Sequence, residues 1–170
     1  MLFDSTLLFY HAGTVYNFTA GEFVNIAGST ASCASSVINL GNARDLGIGQ
    51  GQEIPFIYLT VGTGLTANCS SMLINAQFQG STNSTLWTTY VESGALSTAS
   101  YAAGVGVLPL MVPRRPSGAG LPLYYRVNLA ITGNAASESV STGTILGGIV
   151  LARADSAGTL DQYASGFTVA

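Results

Sequence analysis

The sequence predicts an all-β chain folded as an antiparallel sandwich or barrel, and three features predict it. Apolar and polar residues alternate with period two along much of the chain, little of it holds a 3.6-residue period, and Gly, Asn and Ser punctuate it at short intervals. Several short strands separated by turn signals, with no helical pattern between them, are what packed antiparallel sheets look like in sequence. At 170 residues the chain suits one domain and is long enough to bury a core without disulfide or metal staples.

The clearest element is Leu123-Tyr124-Tyr125-Arg126-Val127-Asn128-Leu129-Ala130-Ile131-Thr132. Leu123, Tyr125, Val127, Leu129 and Ile131 share one face, so a one-residue slip would expose all five and the register is strongly set. Residues 72–79 behave likewise, with Met72, Ile74, Ala76 and Phe78 pointing inward. The turn formers of 80–85 follow, then Leu86-Trp87-Thr88-Thr89-Tyr90-Val91, rich in aromatic and β-branched residues, so the pair reads as a hairpin. Further strands are expected at 6–10, 23–26, 36–40, 54–61, 107–112 and 144–152. The runs at 54–61 and 144–152 are almost continuously apolar, which suits strands buried on both faces or under a partner. Residues 112–120, with Pro113, Pro116, Gly118 and Gly120, read as a loop that is stiff at its start and loose at its end. From Arg153 the apolar period is lost, so the expected organisation is a β domain over 1–152 and a C-terminal tail over 153–170. Leu160, Tyr163, Phe167 and Val169 would let that tail dock on a neighbour.

Composition narrows the function. Only 8% of residues are charged, the net charge is −3, and lysine is absent. Disorder is excluded, since it needs low hydrophobicity and high charge. Schiff-base and P-loop chemistry need a lysine, and polyanion binding needs a basic stripe that five scattered arginines do not make. A mean hydropathy of +0.42 with so few charges suggests a domain that covers much of its surface with partners. The competing reading is a surface kept soluble by Ser and Thr hydroxyls alone. No base precedes Arg44, so a secretory n-region is not expected, and no apolar run approaches the length of a spanning helix.

Catalytic constellations are not apparent. The lone histidine, His11, has no Gly-x-Ser-x-Gly partner, the eight acids are scattered, and neither alternating acids nor Cys/His spacing suggests a metal loop. No catalytic, cofactor-binding or metal-binding residue is therefore expected. Gly47-Ile48-Gly49-Gln50-Gly51 fails as a phosphate loop: its third glycine comes one residue early, and an extended run follows where a helix must start. Cys33 and Cys69 read either as small buried hydrophobes in a reducing compartment or, with less support, as a disulfide pair, and the three Asn-x-Ser/Thr triplets read as chance in a Ser/Thr-rich chain. Two features suit recognition. Trp87 beside Tyr90 is either an aromatic platform or part of the core. Arg114-Arg115, held between two prolines, is either a solvated loop or a contact for an acidic surface.

Asn39-Leu40-Gly41-Asn42-Ala43-Arg44-Asp45-Leu46-Gly47-Ile48-Gly49 resembles the Leu-Gly-x-x-Arg-Asp-Leu-Gly-x-Gly stretch of the capsid cement (decoration) proteins of tailed phages of the Bordetella phage type. The apolar strand after it, the hairpin from Gln77 to Tyr90, the later Leu-Pro segment, Tyr125-Arg126-Val127 and the opening Leu2-Phe3-Asp4 resemble that family in order. The resemblance covers most of 1–152. It implies an antiparallel jelly-roll β-sandwich without enzymatic activity, made in the host bacterial cytoplasm. Such a protein decorates and stabilises the outside of an expanded icosahedral shell in the virion. Its partners would be the major capsid protein and a second copy of itself, most simply as a homodimer, with neither nucleic acid nor membrane bound. On this reading Arg114, Arg115, Tyr163 and Phe167 are contact residues, and Arg44 and Asp45 hold the loop that positions the arginine pair. The chain departs from the family in its hairpin turn, Ser81-Thr82-Asn83-Ser84 where an acid is usual, and in its tail. The alternative is a carbohydrate-binding jelly roll on a phage surface, gripping host glycans with Trp87 and Tyr90.

Overall fold

The alternation read from residues 72–79 and 123–132 becomes the centre of the larger of two sheets. The computed structural model describes residues 16–17, 30–46, 55–67, 72–108, 111–133 and 140–150. Within them the chain is all-β and every strand pairing is antiparallel. The strands are β1 (Tyr16–Asn17), β2 (Thr30–Ala34), β3 (Ile38–Asn39), β4 (Phe56–Ala67), β5 (Leu73–Ser81), β6 (Thr88–Glu92), β7 (Leu96–Ser97), β8 (Tyr124–Thr132) and β9 (Val140–Val150). One sheet has the order β1-β9-β4. The other has the order β2-β8-β5-β6, with β3 on the start of β8 and β7 on the start of β5.

Both sheets send residues into one core. Ile57, Leu59, Val61, Val140, Ile145 and Ile149 come from the smaller sheet, and Met72, Ile74, Ala76 and Phe78 from β5 and the residue before it. Tyr125, Val127, Leu129 and Ile131 come from β8. This is consistent with a β-sandwich, in which alternate residues of two sheets fill the space between them. All four inward residues expected near β5 and four of the five expected in β8 are fully buried, Leu123 being the half-buried exception just before the strand.

The departures from expectation have physical causes. β4 continues to Ala67, past Gly62 and Gly64, because pairing to β9 persists through register shifts at Val61/Thr63, Thr63/Thr66 and Thr66/Ala67. Such irregularities absorb residues that look like strand breakers in sequence. The phenyl and phenol faces of Phe56 and Tyr58 are only half-buried, so β4 is buried fully on one side and not on both. Residues 36–40 supply only Ile38–Asn39. The longer strand is β2, Thr-Ala-Ser-Cys-Ala, whose small side chains carry little β signal and whose extended form comes from five pairings to β8.

Of residues 107–112, the described Val107, Leu108, Met111 and Val112 lie in no strand. Segments on either side of 109–110 instead flank the free edge of β4 through bridges Phe56↔Met111 and Thr60↔Gly106. Val107 N–H donates to the Leu59 carbonyl at 3.0 Å, and Val112 N–H to the Pro55 carbonyl at 2.9 Å. These segments occupy an edge that would otherwise offer unpaired backbone groups. The expected strands at 6–10 and 23–26, His11, Gly47–Gly51, Cys69 and the 153–170 tail with Tyr163 and Phe167 lie outside the described residues.

Candidate functional site

The start of β8, the end of β5, the start of β6 and the short β3 meet at one end of the larger sheet, and three connecting segments gather there. The first is the strap 40–46. Leu40 N–H donates to the Leu123 carbonyl at 2.9 Å and Arg44 N–H to the Pro122 carbonyl at 3.0 Å, so the strap runs along the approach to β8. The second is the hairpin turn 82–86. Asn83 Oδ1 accepts from the N–H groups of Thr85 and Leu86, both at 3.0 Å, a side-chain mimic of a backbone turn. The third is the loop 113–123, tied to the end of β5 where Leu123 N–H donates to the Ser81 carbonyl at 2.9 Å. A Cβ on Gly120 would lie 2.7 Å from Thr82 Cγ2, so loop and turn are in contact.

The structure brings the Arg44-Asp45 stretch and the Arg114-Arg115 pair together. Asp45 Oδ2 accepts the backbone N–H of Arg115 at 3.1 Å. Arg115 Nη1 in turn donates to the Ala119 carbonyl, closing the loop on itself. Hydrogen bonds to an ionised carboxylate are stronger than neutral ones, so a single side chain fixes where this loop begins its turn. Arg44, Arg114 and Arg115 are all exposed. Apolar side chains of the same connecting segments are turned outward, Leu86 being 78% exposed and Leu121 47%, and Met111, at the edge of β4, is 52% exposed.

Trp87 and Tyr90 part company. The β5–β6 register shifts between Phe78 and Gln79, paired with Val91 and Thr89, so Tyr90 is the extra residue of a bulge. Its ring turns to the core side, edge-on to Phe78 (6.1 Å, 80°) and to Tyr125 (5.9 Å, 90°). Burial raises the Tyr90 phenol above its ordinary value, and the negative charge of Asp45 adds to the effect. Trp87 lies on the opposite, outer face, half-buried, with the Arg126 guanidinium 4.1 Å from its ring centroid. That cation–π contact occupies one face of the indole.

Arg126 also donates from Nε to Gln79 Oε1 at 2.8 Å, and partial burial lowers its pKa from the ordinary value. It begins a ladder of polar side chains across the outer face. Gln79 Nε2 donates to Thr89 Oγ1 (3.1 Å) and to Gln77 Oε1 (3.2 Å), which also accepts from Asn128 Nδ2 (3.0 Å). Ser32 Oγ donates to Asn128 Oδ1 at 2.6 Å, and Asn75 Nδ2 to Glu92 Oε2 at 2.9 Å. Gln79 is 7% exposed and Asn128 5%, and both are satisfied by their neighbours, as buried amides must be.

Sequence reasoning missed this ladder and the outward Leu86, Met111 and Leu121. The available signal was the amide repeat Asn75, Gln77, Gln79 at period two, opposite Arg126 and Asn128. Among the described residues no three His, Cys, Asp or Glu side chains gather where they could hold a metal ion. No helix among them is long and apolar enough to cross a membrane. No protein-family model matches the chain, and no curated protein shows significant similarity to it.

Proposed function

We propose that the chain is a non-enzymatic capsid decoration protein that binds the outer surface of an expanded icosahedral phage shell across major capsid subunits. Jelly-roll wiring of the sandwich, pairing with a second copy of the chain and a place on the virion surface belong to the same proposal. The observation that carries it is the bond from Asp45 to the Arg115 backbone. The stretch most similar to the decoration family, around Arg44-Asp45, is the one that fastens the exposed arginine loop. A decorating protein needs such a surface, rigid before contact and mixed in apolar and cationic groups, because ordering a loose loop on binding costs affinity. Binding only to the expanded lattice then stabilises that lattice by mass action.

The test is to mix purified protein with undecorated expanded shells, sediment them, and heat both samples. Decorated shells are expected to rupture at a higher temperature. An Asp45→Ala variant is expected to stay folded and to bind less tightly, since its loop must be ordered on contact. Shells that neither carry the protein nor resist heat better would overturn the proposal.

Glycan binding is the second reading, favoured by one observation: Trp87 stands half-exposed at the head of the amide ladder of Gln77, Gln79 and Asn128. Here Trp87 would act without Tyr90. A glycan array read with the intact protein and with Trp87→Ala separates the two, since shell binding does not require a sugar.

A further inference from the structure

We propose that the arginine end of the larger sheet recognises a carboxylate-rich protein surface. This rests on the decoration reading for the identity of the partner, which is then the outer face of the shell. The chain has no lysine and a net charge of −3, yet four of its five basic residues come together at this one end. Arg44 comes from the strap, Arg114 and Arg115 from the proline-flanked loop, and Arg126 from β8 beside Trp87. The described carboxylate among them, Asp45, has one oxygen committed to the Arg115 N–H. Glu92 lies further along the sheet, where it accepts from Asn75 and Gln77. Among the described residues this end therefore carries four cations against one carboxylate, and such a local concentration of positive charge orients a protein as it approaches an acidic surface.

Geometry selects carboxylates among anions. The Arg115 guanidinium is positioned by Ala119, and that of Arg126 by Gln79 and Trp87, so both forks are set before contact. Preset guanidinium forks match the two oxygens of a carboxylate and lose little freedom on pairing. Leu86 and Leu121 stand exposed in the hairpin turn and the loop that gather at this end. Apolar anchors among arginines suit a protein partner. Nucleic acid is disfavoured, because tight binding to it neutralises many phosphates and a chain of net charge −3 offers only four arginines here to do so. A neutral glycan gains nothing from four cations.

The experiment compares the full-length protein with an Arg44→Glu, Arg114→Glu variant. Both side chains are exposed and neither makes the bonds that shape the loop, so the variant is expected to fold, as circular dichroism will verify. Should it fail to fold, Arg44→Gln with Arg114→Gln removes the charge without reversing it. Binding to undecorated expanded shells is measured from low to high sodium chloride. In parallel, retention is measured on immobilised poly-glutamate and on immobilised duplex DNA.

The expected result is shell affinity that falls with salt and is roughly tenfold weaker in the variant, with retention on poly-glutamate exceeding that on DNA. Shell binding that ignores both salt and the charge reversal overturns the carboxylate inference and leaves the decoration reading standing. Preferential retention on DNA overturns it also. No shell binding, with salt-sensitive retention on poly-glutamate, supports the recognition chemistry and removes the decoration reading.

Discussion

Truncating Tyr125 to alanine is expected to cost about 4 kcal/mol of folding stability and to lower the melting temperature by roughly 10 °C. Tyr125 is fully buried and stacks on Phe78 with ring centroids 5.2 Å apart and planes 10° from parallel. Tyr90 closes the cluster edge-on. Opposite Tyr125 on β5 is Gly80, whose missing side chain leaves the space that the Tyr90 ring fills. Alanine at 125 therefore leaves a cavity bounded by three strands that cannot collapse together. Tyr125→Phe keeps the volume and gives up only a long hydrogen bond, the Leu46 N–H donating to the Tyr125 hydroxyl at 3.5 Å. Its cost is expected below about 1 kcal/mol.

The same side chain sets an alkaline limit. Burial is the main cause that raises the phenols of Tyr125, Tyr101 and Tyr90 above their ordinary value of 10.0. The folded state thus favours the neutral phenol more than the unfolded chain does. That stability is complete below the unfolded value and drains away as pH rises from there toward the folded value. The urea midpoint is expected to hold to about pH 9.5 and then fall, and to fall less steeply in Tyr125→Phe. A midpoint unchanged up to about pH 11 would refute this account.

The sequence was most informative where one side chain decides one thing. Leu129 and Ile131 announced their face because a register slip exposes them, and Met72 to Phe78 did the same. β2 was illegible, since Thr30 to Ala34 offer no large apolar residue and are extended only because β8 is beside them. The opposite faces of Trp87 and Tyr90 were legible but unread, since residues three apart in an extended strand face opposite ways and cannot share one platform. The bulge at Tyr90 was not legible, because it is a property of the β5–β6 pairing and not of the local residues. At the candidate site, Pro113 and Pro116 marked a stiff loop and Asp45 marked its neighbour as distinctive. That Asp45 reaches a residue 70 positions away is a tertiary fact with no trace in local pattern. Leu86 and Leu121 are leucines like those of the core, and only the turns around them point them outward.

Gly143→Ala is expected to destabilise the fold by about 3 kcal/mol, and the loss has two separable parts. The first is conformational: Gly143 is buried in β9 with φ +145°, a backbone state that residues with a Cβ rarely adopt. The second is steric, because a Cβ there would overlap Leu65 Cδ2 and come within 3.0 Å of Leu65 Cα on β4. A side-chain tip can turn aside but a backbone atom cannot, so the two longest strands would have to separate where their register is already irregular. Gly41→Ala supplies the comparison. Its φ is +72° with no atom within 4 Å of the added Cβ, so it carries the conformational cost alone, about 1 kcal/mol. Leu65→Ala combined with Gly143→Ala removes the contact with Cδ2 but not that with Cα, and a double-mutant cycle should recover only part of the loss. Chemical denaturation of the five proteins, the parent and the Leu65→Ala single variant included, checks the ordering. A Gly143→Ala midpoint no lower than that of Gly41→Ala would mean that β4 and β9 are not packed this closely. The shared core that holds the arginine end in place would then need a different account.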